Sequence, residues 1–381
     1  MPPGGCCGLS WGAMGRVTEV VLGLGSNLGT RVALLQSATR ELERAGVSVV
    51  ARSALYDTAP KLVEEQPRFL NAALLCRTAL PPRELLAACQ RVELSLGRDR
   101  SGGAVRYGPR TVDVDILFWG GGGVRTAELT VPHPGAMERP FVLAGLHDLR
   151  RAPGGDCAPQ LAAAARRWRE VAPALPEGEV RRVAPLAEAL WELGARTYVM
   201  GVLNATPDSF SDGGRHATTG AAAREAARMV AAGADMLDVG GQSTRPGAPR
   251  VTPEEELARV MPVLEAVRRE VGPGVPVSVD TFDASVAEAA VREGGATLVN
   301  DVSFGSLDPG GRMLEAVASL PAEVPYLGMH MRGDPKTMQL ASNVRYEAGD
   351  VCAGVGRELL ARVSEAHSAG VDPWRVWLGP G

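Results

Sequence analysis

At 381 residues the chain is long for one ordinary domain and predicts two. Its 45% hydrophobic and 22% charged residues suit a globular protein with sizeable cores. The net charge of −4 leaves no basic footprint for nucleic acid, and no apolar run approaches the length of a membrane span.

Residues 1–18 form an N-terminal extension with no secretory h-region and too little arginine for a transit peptide. Cys6, Cys7, Cys76, Cys89, Cys157 and Cys352 make no C-x-x-C pair and no Cys/His cluster. Free thiols in a reducing compartment are therefore expected, and a zinc site is not.

Residues 19–155 read as a mixed α+β unit. Strands are predicted at Thr18–Gly25, Val47–Tyr56, Phe69–Arg77 and Arg110–Trp119, with helices at Thr30–Ala45 and Pro82–Leu96. The order β-α-β-β-α-β is the ferredoxin-like signature, one sheet with helices on one face. Residues 156–195, rich in Ala, Pro and Arg, are expected to form a terminal helix and linker.

From residue 196 to 381 short apolar strands alternate with helices, as in a (β/α)8 TIM-type barrel. Strands are predicted at Thr197–Leu203, Met236–Gly240, Val275–Asp280, Thr297–Asp301, Tyr326–Met331 and Arg375–Leu378. Helices are predicted at Thr219–Ala232, Pro253–Glu270 and Ala284–Glu293. Six strands fall short of a closed barrel, so an incomplete one is expected. Asn204, Gln242–Arg245, Asp280, Asn300–Asp301 and His330–Arg332 sit at strand C-termini, the active-site face of such a barrel.

Two positions carry chemistry in the first half. Asp113 and Asp115 alternate on one strand, so their carboxylates share a face roughly 6–7 Å apart, a spacing that suits Mg²⁺ bridging triphosphate oxygens. Spacing alone leaves a solvated edge face as an equal explanation. Arg98, Arg100, Arg106 and Arg110 nearby supply delocalised cations for phosphate oxygens. The turn Gly25-Ser-Asn-Leu-Gly29 closes the first strand and could bring backbone near a ligand.

Over Val20–Leu149 the chain resembles hydroxymethyl-dihydropterin pyrophosphokinases. The matching motifs are Gly23-Leu-Gly-Ser-Asn-Leu-Gly, Gln66-Pro-Arg-Phe-Leu-Asn71-Ala, Glu93-Leu-Ser-Leu-Gly-Arg98, Tyr107-Gly-Pro-Arg-Thr-Val-Asp-Val-Asp115-Ile and Val131-Pro-His133. The resemblance implies two Mg²⁺ ions on Asp113 and Asp115, and ATP phosphates met by Arg98, Arg110 and His133. It implies a pterin edge read by Asn71 between Phe69 and Phe141, with Glu93 on the ATP side. Tyr107 stands where the family often has tryptophan, and Phe69 where some members have tyrosine; both keep the ring.

In the second half, Asn204 ends a strand and offers a carbonyl oxygen to a hard cation, although Asn before Ala-Thr-Pro-Asp is also an ordinary turn former. Thr244 and Arg245 lie in a Gly/Pro-framed loop suited to an anion, while Asp280 and Asn300 converge from neighbouring strands or serve as helix caps. With Met329-His-Met331-Arg-Gly-Asp-Pro-Lys-Thr-Met-Gln339, this set resembles dihydropteroate synthases from Thr197 onward. The resemblance implies one Mg²⁺ and the diphosphate at Asn204, the pterin at Asp280, Asn300 and Met331, and a mobile loop holding Thr244 and Arg245.

The synthase family's usual glutamate is Gln242 here. Its Asp-Pro-Gly motif stands here as Gly379-Pro-Gly381, where the chain ends, so a truncated and poorly active synthase half is expected. Together the halves resemble bifunctional folate-pathway enzymes of plants and protists. ATP, the dihydropterin and p-aminobenzoate are then the small-molecule partners, without nucleic acid or membrane and with self-association through the barrel helices. Mitochondria are the expected compartment, with the cytoplasm as the alternative. The rival expectations are a monofunctional pyrophosphokinase carrying an inactive barrel remnant, and a pterin-binding scaffold without turnover.

Overall fold

The computed structural model describes residues 17–61, 63, 65–99, 108–151, 155–205, 214–242, 250–347 and 350–380. Arg100, Arg106, Tyr107, Thr244 and Arg245 lie outside that set. The chain divides into two compact units, residues 1–183 and 184–381.

The first unit runs β1 (Thr18–Ser26), α1 (Arg31–Arg44), β2 (Val47–Arg52), β3 (Leu55–Thr58), β4 (Phe69–Thr78), α2 (Pro82–Ser95) and β5 (Asp113–Trp119). A short hairpin follows, β6 (Val124–Arg125) with β7 (Thr130–Val131), then α3 (Pro140–Leu149), α4 (Ala158–Val171) and β8 (Val180–Leu186). The sheet order is β5-β1-β4-β3-β8, with β2 also on β4. β1 lies antiparallel between β4 and β5.

Successive residues of β1 point to opposite faces, and both faces are covered. Val21 packs with Ala73, Leu75 and Leu117 against Leu143, Leu146 and Leu149 of α3 and Leu161 and Ala164 of α4. Val20 and Leu22, which point the other way, are fully buried as well, and α1 and α2 lie against β1, β2 and β5. The expectation of helices on one face is therefore corrected to a sheet between two helical layers. The cause is α3 and α4, whose apolar stripes cover the second face. The expected linker is also partly ordered sheet, because β8 pairs antiparallel with β3 from Leu55↔Val183 to Thr58↔Val180.

In the second unit β9 (Ala189–Glu192) precedes β10 (Met200–Asn204), α5 (Gly214–Ala231), β11 (Met236–Gly240), α6 (Pro253–Val271), β12 (Val277–Asp280) and α7 (Ala284–Arg292). Then come β13 (Leu298–Asp301), α8 (Met313–Ser319), β14 (Tyr326–Met329), α9 (Val351–Ser368) and β15 (Val376–Gly379). Strands β10 to β15 form one sheet in sequence order, every neighbouring pair parallel. This is the alternating α/β architecture expected, and the predicted strands agree with the observed ones to within a few residues.

Val239, Val277, Val279, Val299 and Tyr326 of the strands pack with Val260, Leu264, Ala287 and Val317 of the helices as one core. Local chemistry starts and stops the helices. Thr252 caps α6 by accepting from Glu255 N at 3.2 Å, Glu254–Glu256 complement its dipole, and Gly272, at φ 76°, ends it. Asp283 caps α7 through Ser285 N at 2.9 Å. Cys76, Cys89 and Cys157 are buried free thiols, and Cys352 is a free thiol on the surface.

Candidate active sites

Strand register builds the first site. Gly25 on β1 pairs with Asn71 on β4 and with Asp113 on β5, and Gly23 pairs with Asp115. Asn71, Gly25 and Asp113 thus form one row across three adjacent strands, with the outer two about 10 Å apart at the usual strand spacing. Glycine leaves room in the middle, since a Cβ there would sit 3.0 Å from Asn71 Oδ1 and press on that amide.

Over this row lies a cavity of about 540 Å³. Phe69, Asn71 and Phe141 line it together with Arg98, Arg110, Asp113, Asp115, His133 and Arg139. Eight of the sequence-predicted residues are therefore brought to one place. The Arg110 guanidinium stands 5.4 Å from the centre of the Phe69 ring, joining the aromatic and charged parts of the lining.

Asp113 is held by two guanidiniums, Arg98 and Arg110, the latter at 3.0 Å. Asp115 is the less neutralised carboxylate, with Arg139 at 3.9 Å. Burial, and then the neighbouring Asp113 charge, push its pKa up to about 7. A divalent cation would relieve that repulsion. Two carboxylates on one strand face, with room for phosphate oxygens and water, match the way Mg²⁺ is held by enzymes that move phosphoryl groups.

His133 follows the cis Val131–Pro132 bond. Its Nδ1 accepts from Gly135 N at 3.0 Å, so the proton of the neutral ring sits on Nε2. Burial, and then Arg139, lower its pKa and keep the ring neutral. Glu93 was expected on the ATP side; it is instead sunk to 2% exposure behind Arg98, accepting from that guanidinium and from Val114 N at 2.9 Å. Its geometry is that of an anchor for Arg98.

Two residues were missed. Arg139 lines the cavity, and only its place before the helix-starting Pro140 marks it in the sequence. Asn27, read as part of an ordinary turn, ties three segments together. Its amide donates to Gln66 Oε1 at 3.1 Å and Pro67 O at 3.0 Å, and its carbonyl accepts from Arg110 N at 2.7 Å.

The second site repeats the row device on parallel strands. Asn204 pairs with Gly240, Gly240 with Asp280, and Asp280 with Asn300. Met331 follows β14 by two residues at the same end of the sheet. Asp238, a further missed residue, lies one pleat below: it accepts from Ser278 Oγ and from Asn300 Nδ2, the latter at 2.9 Å. That bond orients the amide and leaves Asn300 Oδ1 buried without a partner among the described residues. Burial, followed by the charges of Asp238, Glu256 and Asp301, raises the Asp280 carboxyl well above its ordinary range. Gln242 accepts from Val251 N at 2.8 Å and so anchors the end of its loop. Asp238, Asp280 and Asp301 form an acidic cluster at this end of the sheet.

Glu256 belongs to that cluster. It is 1% exposed, one of its oxygens lacks a partner among the described residues, and burial lifts its pKa from 4.5 to about 7. The folded state therefore holds a proton that the unfolded chain releases above pH 4.5. Stability on the order of 3 kcal/mol should be lost as pH rises from 4.5 to 7. Glu256→Gln is expected to remove that loss and melt higher than the parent at pH 8. Equal melting temperatures across pH 5–8 would refute the assignment.

Family models match both halves: 7,8-dihydro-6-hydroxymethylpterin-pyrophosphokinase over residues 21–151 and pterin binding enzyme over residues 200–381. The chain is 45% identical to the mitochondrial folate synthesis bifunctional protein of Pisum sativum, over 95% of this chain and 71% of that one. It is 42% identical to a folate synthesis bifunctional protein of Arabidopsis thaliana, over 95% of this chain and 76% of the relative. A crystal structure of HPPK-DHPS in complex with substrates superposes with a TM-score of 0.67 at 19% identity, covering 96% of this chain and 83% of that one. In none of the described residues is there a helix long and apolar enough to cross a membrane. The chain belongs to the bifunctional folate synthesis family, which joins a hydroxymethyl-dihydropterin pyrophosphokinase to a dihydropteroate synthase.

Proposed function

We propose that the first cavity binds 6-hydroxymethyl-7,8-dihydropterin and ATP together and moves pyrophosphate from ATP to the pterin hydroxyl. The observation that carries this reading is the row Asn71–Gly25–Asp113 beneath a lining that is aromatic and amide in one part and cationic in the other. Asn71 reads the pterin edge while Phe69 and Phe141 flank the ring. Arg98 and Arg110 offset the charge of phosphate oxygens, and the neutral His133 ring donates its Nε2–H to one of them. Asp113 and Asp115 would hold two Mg²⁺ ions, which when bound offset triphosphate charge and orient the β-phosphorus. The pterin hydroxyl oxygen forms the new bond to that phosphorus and gives up its proton to solvent, while the bond from that phosphorus to the oxygen shared with the α-phosphate breaks and AMP leaves with those electrons. Positioning and charge neutralisation are the protein's contributions, and no covalent intermediate on the chain is required.

In the second unit, Asp280 and Asn300 hold the pterin of that product, and Asn204 would hold one Mg²⁺, which when bound offsets the charge of the diphosphate. Loss of pyrophosphate leaves a pterin cation that the amine of p-aminobenzoate captures, giving 7,8-dihydropteroate. The six parallel strands supply the open end of an α/β barrel for this step. Mitochondria are the proposed compartment, in line with the names of the pea and one Arabidopsis relative.

Mass spectrometry of products from the purified chain with ATP, Mg²⁺, the hydroxymethyl-dihydropterin and p-aminobenzoate tests both steps. AMP, pterin pyrophosphate and dihydropteroate are expected. Absence of AMP would refute the first assignment, and AMP without dihydropteroate would refute the second.

A further inference from the structure

The pyrophosphokinase match ends at residue 151, yet residues well beyond it grip the edge of the cavity. Gly178 O accepts from Arg68 Nη2 at 2.6 Å. Glu179 O accepts from Ala59 N at 3.2 Å, and its carboxylate lies 3.2 Å from Lys61 Nζ. Val180 and Arg181 pair in register with Thr58 and Asp57, and Arg181 Nη2 donates to Asp57 Oδ2 at 2.7 Å. Thr58, Ala59 and Lys61 themselves line the cavity.

Asp57 is the hub of this contact. It is 4% exposed and also receives Arg31 at 3.2 Å and Arg68 at 2.5 Å. Arg68 is the residue before Phe69, and Thr58 Oγ1 accepts from Asn71 Nδ2 at 2.7 Å, which decides the way the amide faces. Asp57 therefore sits one residue away from both the aromatic wall and the support of the pterin-reading amide. The contacts named above end on Asp57, Thr58, Ala59, Lys61 and Arg68, and not on Arg98, Arg110, Asp113 or Asp115.

We infer that the segment Gly178–Val183 backs the Thr58–Lys61 wall of the pyrophosphokinase pocket and holds it in place, with Arg181 a positioning residue for the pterin side through Asp57. The inference rests on the transferase reading above and adds to it a part of the chain outside the matched domain. Loss of Arg181 leaves buried Asp57 with fewer cations, lets β3 shift against β4 and disturbs Thr58 and Asn71, while the phosphate-side residues stay in place.

The test compares Arg181→Ala, Arg181→Lys and Glu179→Ala in the full chain. Arg181→Ala is expected to raise KM for the hydroxymethyl-dihydropterin about tenfold, with KM for ATP and kcat nearly unchanged. Arg181→Lys should restore part of the loss, since a lysine keeps the charge without the fork. Fluorescence titration with 6-hydroxymethylpterin should show the same loss without turnover. Equal changes in both KM values, or a lower melting temperature with unchanged pterin affinity, would overturn the inference. If Arg181→Ala does not fold, Glu179→Ala decides: weaker pterin binding supports the wall and unchanged binding refutes it. A parent chain that binds the pterin but releases no AMP would sink the transferase reading, while the titration would still decide the wall.

Discussion

Asp115→Asn is expected to lower AMP release by about a thousandfold while the melting temperature stays level or rises. The two halves of this expectation come from one observation. Asp113 already has two guanidiniums against it, so its charge is offset within the chain. Asp115 has Arg139 no closer than 3.9 Å, and burial beside Asp113 pushes its pKa up to about 7, so the fold accommodates its negative charge poorly. Asparagine keeps the shape and removes the charge, so the fold loses nothing. A cation bridging the strand to triphosphate oxygens loses one of its two carboxylates. The result follows from AMP release at saturating ATP and Mg²⁺, alongside a thermal melt. Activity within tenfold of the parent would mean that Asp115 holds no catalytic metal.

The second large effect is on stability, at Asp301, which is fully buried beside Asn300. Its oxygens accept from Ser303 N and Ser303 Oγ, both at 2.7 Å, from Gly305 N at 2.7 Å and from Tyr326 OH at 2.8 Å. Burial lifts its carboxyl above the ordinary range in spite of these donors. Asp301→Ala would strand a buried phenol and backbone amides in the core shared by Tyr326 and Phe304. A loss of about 3–5 kcal/mol is expected, since each stranded group costs about 1–3 kcal/mol. Urea unfolding followed by tryptophan fluorescence measures it. A change below about 1 kcal/mol would show that the core closes over the gap.

Asn300 and Asp301 illustrate how far sequence reasoning reaches. Adjacent residues on a strand point to opposite sides, so one amide joins the site row and its neighbour becomes a structural hub. The sequence marks both as polar strand-end residues, but only packing distinguishes their tasks. Asp113 and Asp115 were legible because period-two alternation fixes a shared face whatever the sheet order. The parallel alternation of the second unit was legible because its strands are short apolar runs ending in polar residues. The depth of Glu93 was not legible, because its motif gives its neighbourhood and burial to 2% exposure is a tertiary outcome. β8 was missed because its Pro, Arg and Ala carry no strand periodicity. It is a strand because β3 offers it an edge and Asp57 offers Arg181 a partner.

The row Asn71–Gly25–Asp113 has a consequence for which substrates fit. The span between Asn71 and Asp113, the proposed pterin-reading amide and metal-binding carboxylate, is set by two interstrand steps of an antiparallel sheet. Backbone hydrogen bonds hold that span far more stiffly than a loop or a lid could. On the proposed roles the sheet would act as a gauge for the distance from the pterin edge to the reacting oxygen. A pterin whose arm is longer by a methylene would still satisfy Asn71 and the two rings, but its oxygen would overshoot the phosphorus. Discrimination by length then needs no residue touching the extra atom, and no side-chain replacement along the cavity wall would re-cut the gauge.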